Sequence, residues 1–204
     1  MRDQTIGVFL DQLAARVPAP GGGATAGLQA AQSAALLAMV ARYSDGPRYD
    51  AELMGRIAGD ADELRGEALA LAEADVDAFG AVAKAYRLPR ETAEQQAARS
   101  AAIAEALAGA ARPPARVIRL ALTLTGLAEE LLSAGNRNMI TDVAAAAEAA
   151  RAAAVTARAF VEVNLRGIKD LALQDEFASA AVVADQVTDR ADRIVAMIRE
   201  EINE

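Results

Sequence analysis

The 204-residue chain carries 21 Lys and Arg against 29 Asp and Glu, a net charge of −8 with a pI near 4.7. That balance argues against broad nucleic-acid binding by phosphate neutralisation. With no cysteine and no histidine, the chain excludes disulfides, thiolate chemistry, the usual zinc sites, serine–histidine triads and the commonest general base. Acid–base work therefore falls to Asp, Glu, Lys or Tyr, and no metal or other cofactor is expected.

The first residues, MRDQTIGVFLDQLAARV, hold charges and no continuous apolar core. They do not read as a signal peptide, and a cytoplasmic location is expected. Thr5 can cap a short helix over 6–16 with Val8, Leu10, Leu13 and Val17 as its apolar set. A proline-bounded triple glycine, PAPGGG, then opens into an uncharged, alanine-rich helix over 24–43. Gly21, Gly22 and Gly23 can take positive φ and let the backbone approach a ligand closely. The N–H groups near Ala24 and Thr25 belong to a helix start that lacks internal partners and suits a carboxylate or polar heterocycle edge. The plainer reading is that the glycines only let two helices turn and pack. Residues 17–41 are nominally long enough to span a bilayer. Thr25, Gln29, Gln32 and Ser33, together with the low transfer energy of alanine, favour a buried helix in a bundle instead.

Asp45-Gly46-Pro47 marks a turn over 44–49, and a very long helix over 50–86 follows. Its second half spaces Leu69, Ala72, Val76, Phe79, Ala83 and Tyr86 by alternating threes and fours, as in coiled-coil-like packing. At about 100° per residue, Asp75 falls about 20° from the edge of that stripe, while Asp77 points to solvent and Glu73 lies between. A carboxylate there is partly desolvated and its pKa can rise toward a range useful for proton transfer. On spacing alone the favoured reading is plainer, a boundary acid paired with an arginine or wetted by solvent. Pro89 ends the helix, and Thr92-x-x-Gln95 opens one over 92–110 as a capping box. Pro113-Pro114 is expected to break the chain and start another helix ending near 134. Gly135 is expected as a left-handed C-cap. Thr141 is expected to cap a helix rich in small residues, before a last helix over 171–202 that an interruption near Ser179 could divide. Arg48 and Arg87 could each hold a substrate carboxylate. Asn136 and Asp142 have cap readings, whereas Asn164 has none and needs a partner if buried. No linker divides the chain, so a single all-α domain over 1–204 is expected, a bundle of long, mostly antiparallel helices that often completes its core by dimerising.

The segments FLDQLAARVPAPGGGATAG, MVARYSDGPRY, EADVDAFGAVAKAYRLPR, GNRNMITDVAAAA and VEVNLRGIKD, with the Pro114 region among them, stand in one order and spacing. Together they resemble the cyclodeaminase/cyclohydrolase family of folate enzymes. The resemblance implies an intimate homodimer and a tetrahydrofolate derivative as substrate rather than cofactor. It implies methenyltetrahydrofolate cyclohydrolase activity, formiminotetrahydrofolate cyclodeaminase activity, or both. It also implies catalysis by Asp75, four residues before Phe79, and substrate binding by Pro20, Gly21, Gly22, Gly23, Arg48, Asn136, Asp142 and Asn164. Ala24, Pro47 and Phe160 depart from the family pattern. They motivate the alternative of a non-catalytic ligand- or protein-binding dimer of the same fold.

Overall fold

The computed structural model describes residues 2–203 and contains six α-helices and one 3-10 turn among them. Helix α1 (Ile6–Ala14) begins at Thr5, whose side chain accepts from the Val8 N–H. It is followed by α2 (Gly22–Arg42), α3 (Ala51–Tyr86), α4 (Ala93–Ala134), the 3-10 turn (Arg137–Met139), α5 (Ile140–Leu165) and α6 (Leu171–Asn203). Consecutive helices from α2 onward pack side by side through short connections, which makes them antiparallel neighbours. Helix α2 lies against α3, α4 and α5. By length and composition it could cross a membrane, yet more than half of its apolar stretch is buried inside the bundle.

Alanine sets how closely these helices approach. Ala24, Ala26, Ala30, Ala34 and Ala38 of α2 are fully buried, as are Ala146, Ala150, Ala153, Ala154 and Ala157 of α5. With methyl groups alone between backbones, native packing density is reached only at short helix separations. Gly27 marks a close approach of α2 to α3, where an added Cβ would lie 2.8 Å from the Ala72 Cβ and 2.9 Å from the Ala68 carbonyl. Larger side chains complete the same core, with Leu37, Ile57, Ile118, Leu124, Leu131, Phe177 and Ile194 all buried.

The structure corrects several expectations. Helix α4 runs unbroken through Pro113 and Pro114. The two rings remove the N–H groups that would have met the Gly109 and Ala110 carbonyls, but burial of both prolines and their neighbours holds the helix together. Gly135 has φ −84°, so it is no left-handed cap. Helix α5 starts at Ile140 without a Thr141 cap, because Asn136 instead caps the 3-10 turn by accepting from the Asn138 N–H. Helix α6 is continuous past Ser179. In α1 it is Phe9 that is buried; of the expected apolar set Leu13 is half-buried, and Val8, Leu10 and, beyond the helix end, Val17 are exposed.

Candidate active site

Helix α2 begins at Gly22, with Gly21 as an N-cap that supplies no side-chain bond. Gly21 has φ −139°, and the positive-φ glycine among the described residues is Gly46. Gly22 and Gly23 are therefore required for space rather than for a left-handed turn, while a Cβ on Gly21 would meet nothing within 4 Å. A Cβ on Gly23 would lie 2.1 Å from the Asp75 carboxylate oxygen, and one on Gly22 would lie 2.7 Å from the Phe160 ring. The glycines make room for an acid from α3 and an aromatic ring from α5 at the start of α2.

Asp75 is half-buried. Burial pushes its carboxyl above the usual carboxylate range, and a hydrogen bond from the Ala24 N–H pulls it part of the way back. The sequence placed this acid at the edge of an apolar seam, and it lies there with a raised pKa. It also occupies the position of a missing cap on α2. Among the described residues, Asp77 is exposed, and Glu73 faces the N-terminal segment, accepting from the Arg2 N–H at 3.1 Å.

Around Asp75 is a pocket of about 220 Å³. Its walls are Pro18 and Ala19, Gly21 to Gly23, Phe79 and Val82 of α3, Ala110 of α4, and Phe160, Val163 and Asn164 of α5. No lysine or arginine lines it, and Asp75 is the ionisable side chain among its lining residues. Asn164 donates through its amide nitrogen to the Phe160 carbonyl at 2.8 Å and the Ala110 carbonyl at 3.4 Å. The N–H groups of Gly22 and Gly23, in the first turn of α2, have no helical partner and can face an oxygen or nitrogen of a ligand. The pocket thus offers one perturbed carboxylate, an amide, backbone donors and apolar walls. That set suits proton transfer on a flat heterocycle without metal ligands of its own. Phe160, Phe79, Val82 and Val163 were not marked as site residues by sequence reasoning. The helical stripe gave Phe79 only a packing role and did not include Val82.

Of the other expected site residues, Pro20 lies beside the pocket but outside its lining. Arg48, Asn136 and Asp142 lie at the other end of α2, whose 21 residues at about 1.5 Å each span about 30 Å. There the Asn136 N–H donates to Ser44 Oγ at 2.8 Å, and the Asn136 amide donates to the Tyr43 carbonyl at 2.9 Å. Arg48 is exposed and rests near the Tyr49 ring, and Asp142 sits in the first turn of α5. Arg87 is exposed at the end of α3. One chain therefore brings together the glycines, Asp75 and Asn164, and leaves Arg48, Asn136 and Asp142 apart from them.

An all-helical bundle with a half-buried carboxylate as the ionisable group of a pocket at a glycine-cleared helix start defines a class of small-molecule acid–base site. The chain belongs to the formiminotransferase-cyclodeaminase family, whose model matches residues 5–182. It is 37% identical over 177 residues to the methenyltetrahydrofolate cyclohydrolase of Methylorubrum extorquens, covering 85% of each chain. It is 31% identical to the formimidoyltransferase-cyclodeaminase of Rattus norvegicus over 82% of this chain, which is 32% of that longer protein. The crystal structure of formiminotetrahydrofolate cyclodeaminase from Thermotoga maritima superimposes with a TM-score of 0.82 at 28% identity, covering 97% of this chain and 98% of that one.

Proposed function

We propose that this protein is a folate one-carbon enzyme that interconverts one-carbon units at methenyltetrahydrofolate, with Asp75 as its acid–base group. The single observation that carries the reading is Asp75 itself, half-buried and raised in pKa at the start of α2 in a pocket with no other ionisable side chain. Its relatives are named for cyclohydrolase and cyclodeaminase reactions, and one carboxylate serves either. In hydrolysis, Asp75 takes a proton from the water that attacks the electrophilic bridging carbon of methenyltetrahydrofolate. In deamination, N10 of formiminotetrahydrofolate attacks the formimino carbon and Asp75 moves the proton that lets ammonia leave. The Gly22 and Gly23 N–H groups and the pocket walls hold the reacting atoms together. A pocket of about 220 Å³ is smaller than one that encloses a drug-sized ligand. It takes the reacting end of the folate and leaves the remainder outside.

A homodimer is part of this proposal, and α2 suggests its geometry. No charge occurs from Gly22 through Val40, and Leu28, Gln32, Ala35 and Met39 share its less buried side. Pairing two α2 helices antiparallel sets the Asp75 end of one copy beside the Arg48, Asn136 and Asp142 end of its partner. Mixing inactive Asp75→Asn and Arg48→Ala subunits tests this arrangement. Recovered turnover supports a shared site, and no recovery from a mixed dimer counts against it.

The substrate assay follows ultraviolet absorbance with both folates in parallel. Loss of the methenyltetrahydrofolate band indicates hydrolysis. Gain of that band from formiminotetrahydrofolate, with ammonia released, indicates deamination. If neither folate changes, the enzyme reading fails and the non-catalytic binding dimer becomes the better account.

A further inference from the structure

The proline pair in α4 and the asparagine in α5 are linked. In an unbroken helix the residue 114 N–H would bond to the Ala110 carbonyl, but Pro114 has none. A carbonyl freed inside a bundle needs another donor, and the Asn164 amide supplies it at 3.4 Å. Its second N–H goes to the Phe160 carbonyl at 2.8 Å. Both donors are thereby committed, and the opposite amide orientation would set oxygen against two carbonyl oxygens. The polar atom left to the pocket is Asn164 Oδ1, an acceptor with no partner among the described residues.

Resting on the folate reading above, we propose that Asn164 Oδ1 and the Asp75 carboxylate form a two-acceptor subsite for the small hydride of the reaction, the attacking water or the departing ammonia. Both molecules carry several hydrogens on one heavy atom, so two acceptors fix their orientation and leave a lone pair aimed at the one-carbon centre. A neutral amide does this without the repulsion of a second carboxylate beside Asp75. In hydrolysis, the water oxygen bonds to the bridging carbon and one proton passes to Asp75. The bond from that carbon to the ring nitrogen N5 then breaks, leaving its electron pair on N5, which takes the proton from Asp75. The remaining hydroxyl proton leaves to solvent as the formyl carbonyl forms. In deamination the N10 proton passes through Asp75 to the departing nitrogen, and solvent supplies one further proton.

Three variants of the whole chain test this with whichever folate the wild-type protein turns over. Asn164→Leu should lower kcat at least about thirtyfold with KM within about threefold, the pattern of a group acting on the reacting atoms rather than on ground-state binding. Asn164→Asp adds a like charge beside Asp75, so the acid limb of its pH–rate profile should move to higher pH. Pro114→Ala restores the N–H that competes for the Ala110 carbonyl. It should raise Tm while lowering kcat, a combination that a purely structural Asn164 would not produce. Wild-type kcat in Asn164→Leu or Pro114→Ala, or an unmoved acid limb in Asn164→Asp, overturns the proposal. A wild-type protein that turns over neither folate overturns the underlying reading as well, which separates the two failures.

Discussion

At its N-terminal end α2 is built from glycines, and the space they leave is taken by the Asp75 carboxylate, the Phe160 ring and an open pocket. At its C-terminal end the same helix is tied down, with Ser44 Oγ donating to the Val40 carbonyl and accepting from the Asn136 N–H, both at 2.8 Å. Ser44 and Asn136 at the closed end are satisfied by the chain itself, whereas Asn164 Oδ1 and the Gly22 and Gly23 N–H groups at the open end are left for a ligand. The difference teaches where a motif residue acts within one chain. Asp75 and Asn136 belong to equally distinctive motifs, yet only Asp75 has unused capacity facing a cavity.

The contrast can be broken most forcefully at Asp75. Asp75→Asn should keep the helical fold and lose at least about a hundredfold in kcat, the scale of a lost acid–base group. Circular dichroism and steady-state kinetics check it together. Gly23→Ala is next, since its Cβ would meet the Asp75 carboxylate at 2.1 Å. We expect kcat to fall about tenfold and stability by about 1–3 kcal/mol, the cost of overpacking. The matched control is Gly59→Ala at an exposed position of α3, where an added Cβ meets nothing within 4 Å. There the change should stabilise by about 0.5–1 kcal/mol and leave kcat unaltered. Asn136→Ala, at the closed end, should give a smaller kinetic effect than either Asp75→Asn or Gly23→Ala. Loss of its bonds to the Asn138 N–H and the Tyr43 carbonyl should cost about 1 kcal/mol in thermal or chemical denaturation, with kcat within about threefold of wild type.

Much of this was legible in the sequence because it is local or periodic. The Thr5 cap, the Thr92–Gln95 capping box and the span of α3 follow from short-range rules. So does the placement of Asp75 beside an apolar stripe, because helical geometry fixes which side chains share a face. What the sequence concealed is tertiary. Proline chemistry taken alone predicts a break at 113–114, and only the burial of both rings explains a helix that continues. The sequence allows the glycines positive φ, close approach to a ligand or tight packing, but it does not show that Gly23 and Gly22 clear space for Asp75 and Phe160, 52 and 138 positions further along the chain. The distance between Asn136 and the pocket was equally invisible, since a motif's order along the chain does not state which end of a helix it reaches.

The central claim is that one partly desolvated carboxylate does the proton transfer, and the pH dependence of kcat addresses it most directly. Burial raises the Asp75 carboxyl, so the folded protein holds that proton to higher pH than the unfolded chain does. The associated stability is present at low pH and is lost as pH rises through the raised value. The ionised form needed as a base accumulates over that same interval. The account predicts an acid limb in kcat above the ordinary aspartate value of about 3.9, absent from any residual activity of Asp75→Asn. A limb at the ordinary value, or one that survives unchanged in Asp75→Asn, would contradict it.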